Sequence, residues 1–185
     1  MVSPEAVLPP DLNTDGTALV ILVPEAADCI DTWRMRYDWS AQHGMAPHIT
    51  VLLPFIEIRS ITDLDLAILA KLCSGHAGFS FHLSKPRLFQ NYVYFSPNPS
   101  APFICLTRAV LAQYPRLTPY GGRFGKAVIP HLTVAFNEDA AVLETVAAAV
   151  SNVEVHATAH EIHLMDCRDG WWRPVAAFQL GDASQ

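Results

Sequence analysis

A five-residue phrase, Pro-His-x-Thr-Val, occurs twice in the sequence, at 47–51 and at 130–134. Each copy continues into an apolar run that is typical of a β-strand. Side chains alternate between the two faces of a strand, so the His and the Thr of one copy share a face and the apolar residues point the other way. If the two strands are related by an approximate two-fold axis, they predict a cleft in which two imidazoles and two hydroxyls face a common centre.

These groups match the requirements of phosphoryl transfer at a phosphodiester. The pKa of histidine lies near neutrality, so one neutral imidazole can accept the proton of the attacking hydroxyl while a second, protonated one donates to the departing oxygen. Threonine hydroxyls can bind the non-bridging phosphate oxygens. We therefore predict His48 and His131 as catalytic residues and Thr50 and Thr133 as phosphate-binding residues. The arrangement requires no metal and no cofactor.

The structural alternative is that the threonines are ordinary strand residues and the histidines are satisfied polar groups. For either copy alone that would be the better interpretation. The duplication in the same register favours catalysis instead. A serine or threonine nucleophile is less attractive, because neither copy supplies the base and acid that orient a triad.

The paired motifs His48-Ile49-Thr50-Val51 and His131-Leu132-Thr133-Val134 resemble those of the two-histidine (2H) phosphoesterase superfamily, also called the 2'-5' RNA ligase-like group. The segment 119–125 and the Asp-Gly-Trp-Trp turn at 169–172 are also similar to members of that group, and the resemblance covers about 17–181. It implies an α+β, bilobal fold of two pseudo-symmetric halves, each with an antiparallel sheet and outer helices, and a cleft between them. It also implies metal-independent opening or formation of cyclic phosphates and 2'-5' linkages on nucleotides and RNA ends.

Length and composition indicate one domain. The chain has 185 residues, of which 51% are hydrophobic and 16% charged, and it has no apolar run long enough to span a membrane. We expect an N-terminal extension at 1–16, one domain at 17–181 with halves at about 17–97 and 98–181, and a tail at 182–185. The start of the chain lacks the basic region of a signal peptide, and the four cysteines are isolated, so we expect a cytoplasmic protein with reduced thiols.

The net charge of −6 bears on the partner. Proteins that hold long nucleic acids usually present a basic face, because neutralising phosphates supplies much of the affinity. The acidic balance favours a nucleotide or a short RNA end as substrate. We expect no DNA, no membrane and no second subunit as partners.

Hydrophobic periodicity predicts that helix, motif strand, helix and hairpin occur twice in the same order. The first half is expected to contain a strand at 17–24, a helix at 25–42, the motif strand at 48–58, a helix at 62–73 and a hairpin at 79–88 and 91–96. Thr62 is expected to cap the second of these helices, because acidic residues follow it in the first turn. The second half is expected to contain a helix at 101–114, the motif strand at 131–136, a helix at 138–150 and closing strands at 153–166 and 171–180.

Further substrate-binding candidates lie near the motifs. Arg123 belongs to a glycine-rich loop that leads into the second motif, where it could attract phosphate or be merely solvated. Tyr120 lies in the same loop. Tyr94 and Phe89 lie on or beside a strand expected to neighbour the first motif, where they could stack on a nucleobase or simply pack. His156, His160 and His163 are too widely spaced along an extended strand to share one metal.

The sequence therefore predicts a phosphodiesterase that opens 2',3'-cyclic phosphates, or related 2'-5' phosphodiesters, on nucleotides or RNA ends. Two alternatives stay open. One is a nucleotide-binding protein of the same fold without turnover, and the other is a hydrolase of a specialised small phosphodiester.

Overall fold

The computed structural model describes residues 16–122 and 129–182. Within these ranges the strands are β1 Gly16–Leu22, β2 His48–Leu52, β3 Phe79–Ser84, β4 Arg87–Phe89, β5 Tyr92–Phe95, β6 Pro97–Asn98, β7 Leu132–Phe136, β8 Glu154–Ala159, β9 Glu161–Arg168 and β10 Trp171–Gln179. The α-helices are α1 Ala27–Tyr37, α2 Trp39–Gln42, α3 Asp63–Ser74, α4 Ala101–Gln113 and α5 Ala140–Ala149. Short 3₁₀ turns lie at Pro24–Ala26, Ile58–Ser60 and Pro119–Gly122.

The strands form three antiparallel sheets, which confirms the predicted α+β class. One sheet has the order β10-β9-β1-β2, the second β6-β3-β8 and the third β4-β5-β7. The motif strands β2 and β7 are edge strands of the first and third sheets. Each motif strand thus has one neighbour, β1 or β5 respectively.

The sheets combine strands from both of the expected sequence halves. The closing strands β9 and β10 join β1 and β2, and β5 of the first half pairs with β7 of the second. Our expectation that the strand carrying Tyr94 neighbours the first motif is therefore wrong: Tyr94 lies opposite Thr133 of the second. The division into two lobes at 97/98 stays a prediction.

Several predicted elements are divided in the structure. The predicted hairpin of 79–88 with 91–96 is correct where β4 pairs with β5, but its first strand is divided, because the chain turns at Lys85, whose φ is 55°, and the following Pro86 has no N–H for the ladder. As a result β3 joins one sheet while β4 and β5 form a hairpin in another. The predicted strand at 153–166 likewise splits around His160, since β8 pairs with β3 and β9 pairs with β1.

Two elements near the first motif are shorter than expected. The helix predicted at 25–42 is interrupted at Asp38, which has an extended backbone and whose side chain caps the N-terminus of α2. The motif strand predicted to reach 58 ends at Leu52, two residues before Pro54, which cannot donate to a ladder. Leu52, the last residue of the strand, is buried in the core.

Local signals elsewhere are confirmed. Thr62 caps α3 in a reciprocal capping box with Asp65, as its position before two acidic residues predicts. The predicted turn between β9 and β10 is made by Asp169 and Gly170, with φ values of 55° and 74°. Positive φ at both central residues is the geometry that a tight hairpin between right-twisted strands requires.

Strand β1 is buried on both faces and separates two apolar clusters. Leu19 and Ile21 belong to the main core, which extends through the helices and all three sheets. Ala18 and Val20 alternate with them along β1 and point to the other face, where they belong to a smaller cluster. This cluster, here called the Trp172 cluster, consists of Ala18, Val20, Trp39, Met45, Met165, Cys167 and Trp172. Among the described helices, none is long and apolar enough to cross a membrane.

Candidate active site

Both motif strands turn their polar residues into one cavity. On the core side, Ile49, Val51, Leu132 and Val134 are at most 3% exposed. On the opposite side, His48, Thr50, His131 and Thr133 all line a cavity of about 380 Å³. Strand alternation therefore produces the arrangement expected from the sequence, because burial of the apolar residues fixes which face the others must occupy.

The rest of the cavity is mainly apolar. The first motif's sheet and the segment before it contribute Ala18, Val20, Asp38, Ser40, Met45, Leu53 and Trp172. The second motif's side contributes Phe89, Tyr92, Tyr94, Tyr120, Ile129 and Phe136. Among these described lining residues there is one carboxylate, Asp38, and no lysine or arginine.

Both motif histidines are held by the same local hydrogen bond. His48 Nδ1 lies 3.0 Å from the carbonyl oxygen of Ala46, and His131 Nδ1 lies 2.8 Å from that of Ile129. A carbonyl can only accept, so Nδ1 carries the proton and donates it in both rings. In the neutral imidazole this leaves Nε2 as the acceptor. In both copies one proline lies between the histidine and the residue whose carbonyl accepts the hydrogen bond.

The cavity favours the neutral form of both rings. Burial lowers the pKa of His48 from 6.5 to about 4, and the positive charge of Arg34 adds to the effect; Asp38 and the Ala46 carbonyl oppose it, and His131 lowers the pKa slightly further. Burial likewise lowers the pKa of His131, against the opposing hydrogen bond to Ile129. Near pH 7 either ring can therefore accept a proton at Nε2.

A buried ion pair, not predicted from the sequence, lies beside the first motif. Arg34 is 1% exposed, and its Nε and Nη2 donate to Asp38 Oδ2 at 3.1 and 3.0 Å. The other carboxylate oxygen of Asp38 accepts from the backbone N–H and hydroxyl of Ser40 at 3.0 and 2.7 Å. Arg34 Nη2 also donates to the carbonyl of Met45. The pair thus fixes the segment that leads to His48. The i,i+4 spacing of Arg34 and Asp38 was the available sequence signal.

Tyr120 contacts both motifs. Its hydroxyl is hydrogen-bonded to the Thr50 hydroxyl, and its ring stacks on His131 at a centroid distance of 6.3 Å. The backbone N–H of Tyr120 donates to the Leu53 carbonyl, and its φ is 50°, an unfavourable conformation for a bulky residue. Strained residues that the surroundings hold in place concentrate at functional sites. Tyr120, predicted as a possible substrate contact, is thus within the site.

The other sequence candidates have different outcomes. Tyr94 lines the cavity and packs edge-on against His131 at 5.7 Å. Phe89 also lines the cavity and is 54% exposed, so it forms part of the rim. Arg123 lies outside the described residues. Within the described ranges, no three His, Cys, Asp or Glu side chains are placed to hold a metal ion.

Comparison with known proteins identifies related sequences and folds. A family model described as the 2'-5' RNA ligase superfamily matches residues 22–171. No curated protein sequence matches this chain significantly.

Solved structures share the fold at low identity. Escherichia coli LigT complexed with 3'-AMP is 17% identical, with a TM-score of 0.57 over 92% of this chain and 100% of LigT. LigT complexed with NADP+ is 18% identical, with a TM-score of 0.54 over 91% and 98%. The protein TT0787 of Thermus thermophilus is 14% identical, with a TM-score of 0.58 over 90% and 98%.

The lowered pKa of His48 predicts a pH-dependent stability. Between pH 6.5 and about 4 the unfolded chain binds more protons at this residue than the folded protein, so the contribution of His48 is present above pH 6.5 and is lost as the pH falls through this window. We expect His48→Asn to reduce the drop in unfolding free energy between about pH 7 and pH 5 by on the order of 1–2 kcal/mol. Urea denaturation at the two pH values measures it.

The matched control is His76→Asn, because His76 Nδ1 also donates to a backbone carbonyl, that of Leu72, but the residue does not line the cavity. This variant measures the effect of losing the same kind of hydrogen bond outside the cavity. An unchanged pH dependence in His48→Asn would show that the cavity does not disfavour the charged imidazole.

Proposed function

The chain belongs to the 2'-5' RNA ligase superfamily and is therefore a phosphoesterase by family, and we propose that it opens 2',3'-cyclic phosphates on nucleotides or RNA ends by two-histidine acid-base catalysis. The observation that carries the proposal is the shared cavity. It contains two imidazoles, each with Nδ1 engaged by a backbone carbonyl, and a threonine hydroxyl from each motif strand.

In the proposed reaction, one Nε2 removes a proton from water while the water oxygen attacks phosphorus. The bond between phosphorus and one ribose oxygen breaks, and the second imidazole, protonated at Nε2, gives its proton to that oxygen. The product is a phosphomonoester, which by family resemblance is the 2'-phosphate. The hydroxyls of Thr50 and Thr133 donate to the non-bridging oxygens and offset the charge that develops there.

The surroundings of the two rings support a division of roles. The positive charge of Arg34 disfavours protonation of His48, whereas among the residues that the structure describes no cation contributes to the lowered pKa of His131. An anionic phosphate placed between the rings favours protonation of the ring that lacks a cationic neighbour. We therefore assign His48 as the base in hydrolysis and His131 as the acid.

A nucleotide-sized substrate is supported by the cavity and by the fold relatives. The cavity of about 380 Å³ has an apolar and aromatic lining suited to a nucleoside, and its described residues offer no lysine or arginine for several phosphates. Structures of LigT contain 3'-AMP, NADP+ or ATP. That the protein acts as a cytoplasmic monomer, without DNA, stays a prediction.

Removal of either histidine should abolish turnover. We expect His48→Ala and His131→Ala each to lower kcat on a 2',3'-cyclic nucleotide by about a hundred-fold to ten-thousand-fold, because each removes one proton transfer. The measurement is product formation, by chromatography, with EDTA present throughout. Wild-type activity should survive the chelator.

His76→Ala is the control and should retain wild-type rates, since this histidine lies outside the cavity. Turnover near the wild-type rate in either motif variant would contradict the mechanism. A folded wild type that binds nucleotide but hydrolyses none of the cyclic phosphates would instead favour the binding protein or a specialised substrate.

The threonines provide an independent prediction. Thr50→Val and Thr133→Val keep the strand shape but remove a donor to the phosphate, and we expect each to lower kcat/KM by about a hundred-fold. Steady-state kinetics on the same cyclic nucleotide tests this. Thr145→Val on α5 is the matched control, since Thr145 is exposed and its hydroxyl donates to the Ala141 carbonyl of the same helix. Equal effects at all three sites would contradict phosphate binding by the motif threonines.

A further inference from the structure

One polar group beside the cavity has no partner. Trp172 is 6% exposed and lines the cavity. Among the residues that the structure describes, its indole Nε1 is the one buried side-chain nitrogen or oxygen without a hydrogen-bond partner. A buried N–H without an acceptor is costly, and most such groups in folded proteins are paired. A buried donor at the edge of a ligand-sized cavity therefore points to an acceptor supplied by the ligand.

The neighbouring polar groups are satisfied within the protein, which makes this donor stand out. Both oxygens of Asp38 accept two hydrogen bonds each, from Arg34 and from Ser40. The backbone N–H of Trp172 itself donates to the carbonyl of His43 at 2.9 Å. The indole N–H of Trp172 therefore lacks a partner although the carboxylate of Asp38 and the backbone N–H of Trp172 both have theirs.

The position of Trp172 indicates which part of a ligand it meets. The sheet order β10-β9-β1-β2 places Trp172 and the first motif on opposite edge strands. Between them, Ala18 and Val20 of β1 line the cavity, and so does Met45. A phosphate held by the motif residues would therefore lie on the β2 side of the cavity, and the unpaired indole N–H lies on the β10 side, across an apolar lining.

We propose that the Trp172 indole N–H is a specificity donor that binds an acceptor atom of the substrate's nucleobase at the apolar end of the cavity. The inference rests on the proposed function for the position of the phosphate. The apolar lining suits an aromatic ring, and a ring nitrogen or exocyclic oxygen of the base provides the acceptor that the indole N–H lacks. Trp172 acts on recognition and takes no part in proton transfer.

The direct test is the indole N–H resonance of Trp172 in ¹⁵N-labelled protein, assigned by its loss in Trp172→Phe. On saturation with a nucleoside 2'-monophosphate, this resonance should move downfield and exchange more slowly with solvent, as a newly formed hydrogen bond requires. The corresponding resonance of Trp171, which is 50% exposed and contacts His43, should stay unchanged. Nucleotide binding that leaves the Trp172 resonance in place would overturn the inference.

Kinetics separates this role from a structural one. We expect Trp172→Phe to lower kcat/KM about three- to ten-fold on 2',3'-cyclic nucleotides and to leave it unchanged on the same cyclic phosphate of a ribose without a base. Trp171→Phe should match the wild type on both substrates. Equal losses on both substrates would mean that Trp172 only supports the fold, whereas no turnover by any variant, together with a shifted indole resonance, would defeat the proposed reaction and leave the base contact standing.

Discussion

The site depends on one short hydrogen bond, made twice: a motif imidazole donates from Nδ1 to the carbonyl two residues before it. Strand alternation sends the imidazole into the cavity, but alternation alone does not decide which nitrogen carries the proton. The carbonyl does, because it can only accept. With Nδ1 so engaged, each neutral ring keeps a lone pair on Nε2, and two equivalent rings are available for an acid and a base.

The scaffold around this bond holds the two rings in place. Before the first motif, the buried Arg34–Asp38 pair holds the chain at Ser40 and Met45, and the carbonyl of Pro47 accepts from Val23. Before the second motif, Tyr120 connects the two sides through Thr50 and His131. Burial of a charged pair is costly unless its hydrogen bonds are satisfied, and here both oxygens of Asp38 are. The same burial disfavours a charged His48.

Sequence alone predicted the parts of the site that depend on local order. The repeated motif fixed the face shared by His48 and Thr50, and by His131 and Thr133, because the apolar residues between them had to be buried. The α+β class and the antiparallel sheets were implied by the resemblance to the two-histidine phosphoesterases. The capping box at Thr62 and the turn at Gly170 were likewise legible from neighbouring residues.

Contacts between residues that are distant in sequence could not be predicted in this way. Hydrophobic patterning does not reveal which strands pair, so the neighbour of the second motif was assigned to the first. The sequence pattern placed Asp38 inside one long helix. In the structure its backbone is extended and separates α1 from α2, and this conformation allows its side chain to contact Ser40. The sequence does not distinguish Trp172 from the adjacent Trp171. Trp172 is the buried one because it packs against β9, β1 and Trp39, which are distant in sequence. Tyr120 owes its place to tertiary contacts that override an unfavourable φ.

The most direct measurement of the central claim is the protonation state of the two rings by ¹⁵N NMR of histidine-labelled protein. We expect His48 and His131 to be neutral at pH 7 with the proton on Nδ1, and both to titrate below 6.5. When a nucleoside phosphate binds, we expect His131 to become protonated before His48. Rings that carry the neutral proton on Nε2, or that are already charged at pH 7 without ligand, would contradict the central claim.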